Sequence, residues 1–255
     1  MDWSAKQYSR FETERNRPVL DLLAQVRTDP VRVAVDLGCG PGNSTELLAA
    51  RFPDAEVRGL DSSPAMIEAA RQRLPGVRFA VADIAGWRGG DAYDLILANA
   101  ALQWLPDHAA LLPALVSRLA AGGSLAVQVP DNLGEPSHQS MQEVAAQPRW
   151  AERLAGAADD WANRHPADFY YRTLDGLGVA VDLWRTTYFH RLAGASAIVE
   201  WFKGSALGPF LLPLDEAERA AFLDDYLAAV TRAYPALPDG SVLLPFPRLF
   251  FVAVR

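Results

Sequence analysis

The chain has 255 residues, 50% of them apolar and 22% charged, with 18 Gly and 18 Pro. That suits one large α/β domain or a domain with an insertion, and it excludes a disordered chain. Cys39 is the only cysteine, so a disulfide scaffold is excluded too, and 24 basic against 31 acidic residues (net −7) disfavour nucleic acid as the main partner.

A lone cysteine points to a reducing compartment, and residues 1–10 lack the apolar centre of a signal peptide. No run approaches the roughly 18 apolar residues of a membrane span. The chain therefore reads as soluble and cytoplasmic, without a membrane partner, its oligomeric state open and compatible with a monomer.

Residues 1–30 read as N-terminal helices, carrying Trp3, Tyr8, Arg15 and Arg17. Residues 31–35 form a β-branched run ending at Asp36, followed by a Gly-rich turn and a helix over 44–52. A second strand over 56–60 ends at Asp61, and Ser62-Ser-Pro-Ala starts the next helix with a hydroxyl cap and an early Pro. A third strand (77–81) closes on Asp83 and a fourth (93–98) on Asn99. A helix over 107–119, a turn at Gly122-Gly123 and a fifth strand over 124–129 follow. Strands alternating with helices of 10 to 15 residues imply βαβ units. The expected fold is α/β, a doubly wound, mostly parallel, seven-stranded sheet with helices on both faces. Two further strands over 179–188 and 242–254 would complete it, the latter interrupted by Pro245 and Pro247. Residues 31–130 would be the cofactor-binding core, and the helical stretches 134–176 and 193–234 a cap on it, all within one domain.

Asp36-Leu-Gly-Cys-Gly-Pro-Gly42 lies between a strand and a helix. Gly38 and Gly40 carry no Cβ, so the backbone there can turn sharply and approach a ligand. A dinucleotide fingerprint wants a third small residue where Asn43 stands, and no Gly-Lys-Ser/Thr follows for a phosphate loop. Asp61 ends the second strand, 25 residues after Asp36, placed to accept both hydroxyls of a ribose. Asp83 is placed to accept from an adenine amino group, with Ile84 beside the ring. Any one of these aspartates alone would more often be a cap or turn residue. Together they describe a ligand with an amino group, a ribose and an adenine, and no phosphate: S-adenosylmethionine (SAM).

These segments, with Leu60-Asp-Ser-Ser63, Ala82-Asp-Ile84 and Ala98-Asn99, are similar to the cofactor motifs of class I SAM-dependent methyltransferases. Leu102-Gln-Trp-Leu-Pro-Asp-His108, Val129-Pro-Asp-Asn132, Asp182-Leu-Trp-Arg-Thr-Thr-Tyr188 and Phe246-Pro-Arg-Leu-Phe250 resemble the trans-aconitate methyltransferases within that class. The resemblance implies a Rossmann-like fold, SAM as methyl donor, and a small tricarboxylate esterified on one carboxylate. It adds Ser62 and Asn99 to Asp36, Gly38, Gly40, Asp61, Asp83 and Ile84 as cofactor residues.

A carboxylate is ionised at neutral pH and needs no general base, so no catalytic acid or base is expected. His108, His138, His165 and His190 are too scattered for a metal site. Three carboxylates do need partners, and 22 of the 24 basic residues are arginine, which grips a carboxylate bidentately. Arg185 and Arg248 each interrupt an apolar segment, Tyr188 and His190 share a strand face, and Gln103 and Trp104 follow Asn99. Gln103, Trp104, Arg185, Tyr188 and Arg248 are therefore the substrate-side candidates. Three rival readings stay open: a methyltransferase for another acid, phenol or amine; an NAD-dependent dehydrogenase, disfavoured by Asn43; and a non-catalytic SAM-binding regulator.

Overall fold

The computed structural model describes residues 12–255 apart from 88–89, 91, 158, 160 and 162–163. Trp3 and Tyr8 lie outside the described residues. The strands are β1 (Val33–Leu37), β2 (Glu56–Asp61), β3 (Arg78–Val81), β4 (Tyr93–Asn99), β5 (Leu119–Pro130), β6 (Ala180–Leu192) and β7 (Val242–Val254). They form one seven-stranded sheet in the order β3-β2-β1-β4-β5-β7-β6. The first five pair in parallel. Gly122 bonds to Arg255, and further along β5 Asp131 bonds to Pro247, so β7 runs antiparallel to β5.

The chain separates into two compact units. Unit 1 comprises Met1–Pro130, Asn163–Thr186 and Leu249–Arg255. Its described helices are α1 (Glu12–Leu23), α2 (Asn43–Arg51), α3 (Pro64–Arg73), α4 (His108–Val116) and, from later in the chain, α6 (Ala167–Asp175). Its main core gathers fully buried residues of β4 and β5, such as Ile96, Leu125 and Val127, with Leu112 and Leu115 of α4. Burial of this kind is worth roughly 1.5–3 kcal/mol per large aliphatic side chain. Unit 2 comprises Asp131–Ala162 and Thr187–Arg248. It holds α5 (Pro136–Ala145), α7 (Ala195–Lys203), α8 (Gly208–Leu211) and α9 (Glu216–Ala233). Trp150, Phe202, Phe210 and Phe222 are fully buried there, and the Trp150 indole donates to Asp225 at 2.9 Å.

Of the N-terminal stretch 1–30, the described residues hold the helix α1, and residues 1–11 lie outside them. Two expectations change. The segment 134–176 is not one cap segment, because α6 belongs to unit 1. Tyr170 and Leu174 of α6 are fully buried in the unit 1 core, and that burial decides where the helix goes. Gly122-Gly123 does not end an element. β5 starts at Leu119 and absorbs the glycines as an irregularity, its register shifting between Tyr93↔Leu119 and Leu95↔Ser124. Gly122 has φ 76°, a value glycine adopts without strain.

Candidate cofactor site

Parallel register brings Asp36, Asp61 and Asn99 to the same edge of the sheet. Asp36 pairs with Gly59, Asp61 with Val81 and Asn99 with Gln128. Strand order reverses between β1 and β4, and ligands of open α/β sheets bind beyond the strand ends at such a switch point. A pocket lies there, within unit 1. The β1 and β2 loops contribute Gly38, Gly40, Pro41, Asp61 and Ser62, and α3 adds Met66. Asp83, Ile84 and Asn99 line it too, followed by Ala100, Ala101, Trp104 and Leu105 from the turn after β4.

The Gly-rich loop is shaped from below and from the side. Gly38 and Cys39 donate to the Leu60 carbonyl at 2.8 and 2.9 Å, drawing the loop across β2. Gly38 has φ 72°, and a Cβ there would fall 2.4 Å from the Ala101 Cβ, so only glycine fits. The Asp61 carboxylate accepts from the Gly40 N–H at 2.9 Å and from the Ser63 N–H at 2.8 Å. Each of its oxygens keeps a second lone pair for a ligand hydroxyl. Asp83 accepts from the Ala85 N–H at 3.0 Å, an Asx turn that leaves the side chain exposed.

Asp36 does not reach the pocket surface. It is fully buried beneath the loop, where its Oδ2 accepts from the Ser44 and Thr45 hydroxyls, both at 2.7 Å. Those bonds tie the first turn of α2 to the end of β1. Burial pushes the carboxyl up to about 6, against the lowering effect of the two hydroxyls. Gln103 does not line the pocket either. It is buried, and its Nε2 donates to the Ala100 carbonyl at 2.7 Å.

Among the described residues, the buried oxygens Asp36 Oδ1, Asn99 Oδ1 and Gln103 Oε1 have no donor facing them. Buried acceptors without donors are costly unless a ligand supplies one. Of the three, only Asn99 lines the pocket, and its oxygen suits an N–H donor such as the ammonium of SAM. A pyrophosphate would add acceptors to acceptors, which argues against a dinucleotide.

A family model for a methyltransferase domain matches residues 34–123. A trans-aconitate 2-methyltransferase from Methylobacterium radiotolerans is 56% identical, covering 99% of this chain and 98% of its own length. One from Yersinia pestis is 51% identical, at 99% and 98% coverage. The chain belongs to the trans-aconitate 2-methyltransferase family. Within that family it is a SAM-dependent methyltransferase, and the dehydrogenase reading is set aside. A crystal structure of the YcgJ protein from Bacillus subtilis superposes with a TM-score of 0.63 at 13% identity, covering 94% of this chain and 98% of that one. At that identity the likeness speaks for the shared fold alone.

The substrate-side candidates fall in different places. Gln103 and Trp104 belong to the turn after β4, and Arg185 is an exposed residue of β6 in unit 1. Tyr188 and Arg248 are buried residues of unit 2, the Arg248 guanidinium lying 4.6 Å from the Phe246 ring centre. His190 stacks on Trp201 at 4.7 Å in the same unit. Residue types alone did not single out Met66, Ala100, Ala101 and Leu105. Ala100 and Ala101 directly follow a strand end that had been assigned, so position along the chain was the signal for them.

Proposed function

We propose that this chain transfers the methyl group of SAM to one carboxylate of trans-aconitate, giving the monomethyl ester and S-adenosylhomocysteine. The observation that carries the reading is identity of 51–56% to curated relatives of that name across nearly the whole chain, unit 2 included. Bound in the pocket, SAM supplies a methyl group already activated by a positive sulfur.

The protein's share is binding, orientation and exclusion of water. In this reading Asp61 receives the ribose hydroxyls, Ser62 and Asp83 flank the adenosine, and Ile84 packs on the base. Gly38 and Gly40 let the backbone come close. Asn99 offers its oxygen to the methionine amine, and Asp36 supplies negative charge from beneath the loop. The acceptor carboxylate is ionised at neutral pH, so no residue need remove a proton. Asp61 and Asp83 support this division of labour, since both carboxylates are engaged with backbone N–H groups. Orientation alone contributes roughly 7–11 kcal/mol in favourable intramolecular reactions. Trp104 belongs to the wall facing the acceptor, and Arg185, Tyr188 and Arg248 remain the carboxylate-side candidates, whereas Gln103 has its amide donor on the Ala100 carbonyl.

Incubation with SAM and a panel of small carboxylic acids, phenols and amines, read by mass spectrometry, tests the activity. Trans-aconitate should gain one methyl as an ester. Methylation of another acceptor only would overturn the substrate assignment, and SAM binding without turnover of any acceptor would favour the regulator. Arg248→Lys keeps the charge but loses the planar fork. It should raise KM for trans-aconitate about tenfold with SAM binding unchanged, and an unchanged acceptor KM would remove Arg248 from the substrate side.

A further inference from the structure

The turn after β4 is held in an unusual shape. Ala100 has φ 51° and Asp107 has φ 54°, two non-glycine residues in the left-handed region bracketing the segment that walls the cofactor pocket. Such conformations persist only where the surroundings over-determine them, and they concentrate at functional sites. Here the braces are visible. The Ala100 N–H donates to the Gln128 carbonyl at 2.8 Å, and Gln103 Nε2 returns to the Ala100 carbonyl at 2.7 Å.

The third brace is a histidine that the methyl transfer does not use. His108, at the start of α4, is fully buried, with Nε2 2.8 Å from the Leu102 carbonyl and Nδ1 2.9 Å from the Tyr170 hydroxyl. A carbonyl only accepts, so Nε2 carries the proton and Nδ1 accepts from Tyr170. We propose that His108, fixed by Tyr170, is a positioning residue for the cofactor: it pins the Leu102 carbonyl and so sets where Ala100, Ala101, Trp104 and Leu105 stand in the pocket wall. Tyr170 is itself anchored, its ring 5.4 Å from Phe251 in the unit 1 core. The tolerance is small on the other side, since Ala101 sits against the place where Gly38 would carry a Cβ. Burial lowers the His108 pKa, and the neighbouring His165 lowers it further, which keeps the single-proton form this arrangement needs.

The inference rests on the cofactor reading of this pocket, so the test measures cofactor binding directly. S-adenosylhomocysteine is titrated calorimetrically into the full chain and into His108→Leu, His108→Gln and Tyr170→Phe, with melting temperatures measured beside it. His108→Leu should weaken binding about tenfold and raise the SAM KM in proportion. Glutamine has both a donor and an acceptor and should restore most of the loss. Tyr170→Phe keeps the ring and should reproduce a smaller loss in the same direction. Folded variants with wild-type affinity, or a loss that glutamine leaves unrepaired, would overturn the proposal. If the unsubstituted chain bound no S-adenosylhomocysteine, the cofactor reading itself would fall.

Discussion

Burial holds the Asp36 carboxyl up at about 6, while an unfolded aspartate titrates near 3.8. Between those values the folded protein binds more protons than the unfolded one, so this residue makes stability fall as pH rises from about 4 to about 6. Asp36→Asn removes the buried charge and should make the cofactor-free protein more stable at pH 7, by up to roughly 3 kcal/mol. The gap should close near pH 4, and denaturant titrations at the two pH values would measure it. A cationic ligand reverses the preference, so SAM affinity should weaken as pH drops below about 6 in the native chain and stay flat in the variant. Asp61 acts more simply. Asp61→Ala strands the Gly40 and Ser63 amides and the ligand hydroxyls, costing on the order of 1.5–3 kcal/mol of cofactor affinity, which calorimetry would show. Equal affinity would place the ribose elsewhere.

At the scale of elements, α9 shows how local chemistry sets a helix. Asp215 accepts from the Glu218 N–H at 2.9 Å, and the Glu218 side chain accepts from the Asp215 N–H at 3.0 Å, a complete capping box. Asp215→Ala should cost about 1 kcal/mol, seen as a lower melting temperature with cofactor affinity unchanged. Signals of this reach were legible in the sequence. The strand-end acids, the Gly-rich turn and the Ser-Ser-Pro helix start are each enforced by backbone geometry within a few residues. The misread elements depend on distant partners. Gly122-Gly123 has the composition of a turn, and it is held in the sheet by Arg255, whose backbone bonds to both glycines. The amphipathic α6 would suit either unit by its own pattern, and only the burial of Tyr170 and Leu174 assigns it. In the site, Asp61, Asp83 and Asn99 were legible as pocket-lining, whereas the burial of Asp36 beneath the loop and the inward turn of Gln103 beside the left-handed Ala100 are announced by no residue type. Pro245 and Pro247 looked like interruptions, yet β7 runs through both. A proline loses its N–H but keeps its carbonyl, and Pro247 uses it to accept from Asp131 at 2.9 Å.

For the whole molecule, a carboxylate acceptor means that kcat should stay nearly flat from about pH 6.5 to 9. A steep alkaline rise in a pH-rate profile would mean an acceptor that must first lose a proton, and would replace trans-aconitate with a phenol or amine. The two units also interleave along the chain, unit 1 being completed only by Leu249–Arg255, after the last residue of unit 2. Synthesis on the ribosome separates neighbouring strands in time. β5 emerges early, buried along most of its length in the finished protein, while its neighbour β7 is translated more than a hundred residues later. Throughout that interval the nascent chain carries an apolar strand with an open edge, the feature that invites pairing with the wrong molecule. That edge is closed only by the last strand of the chain to be made.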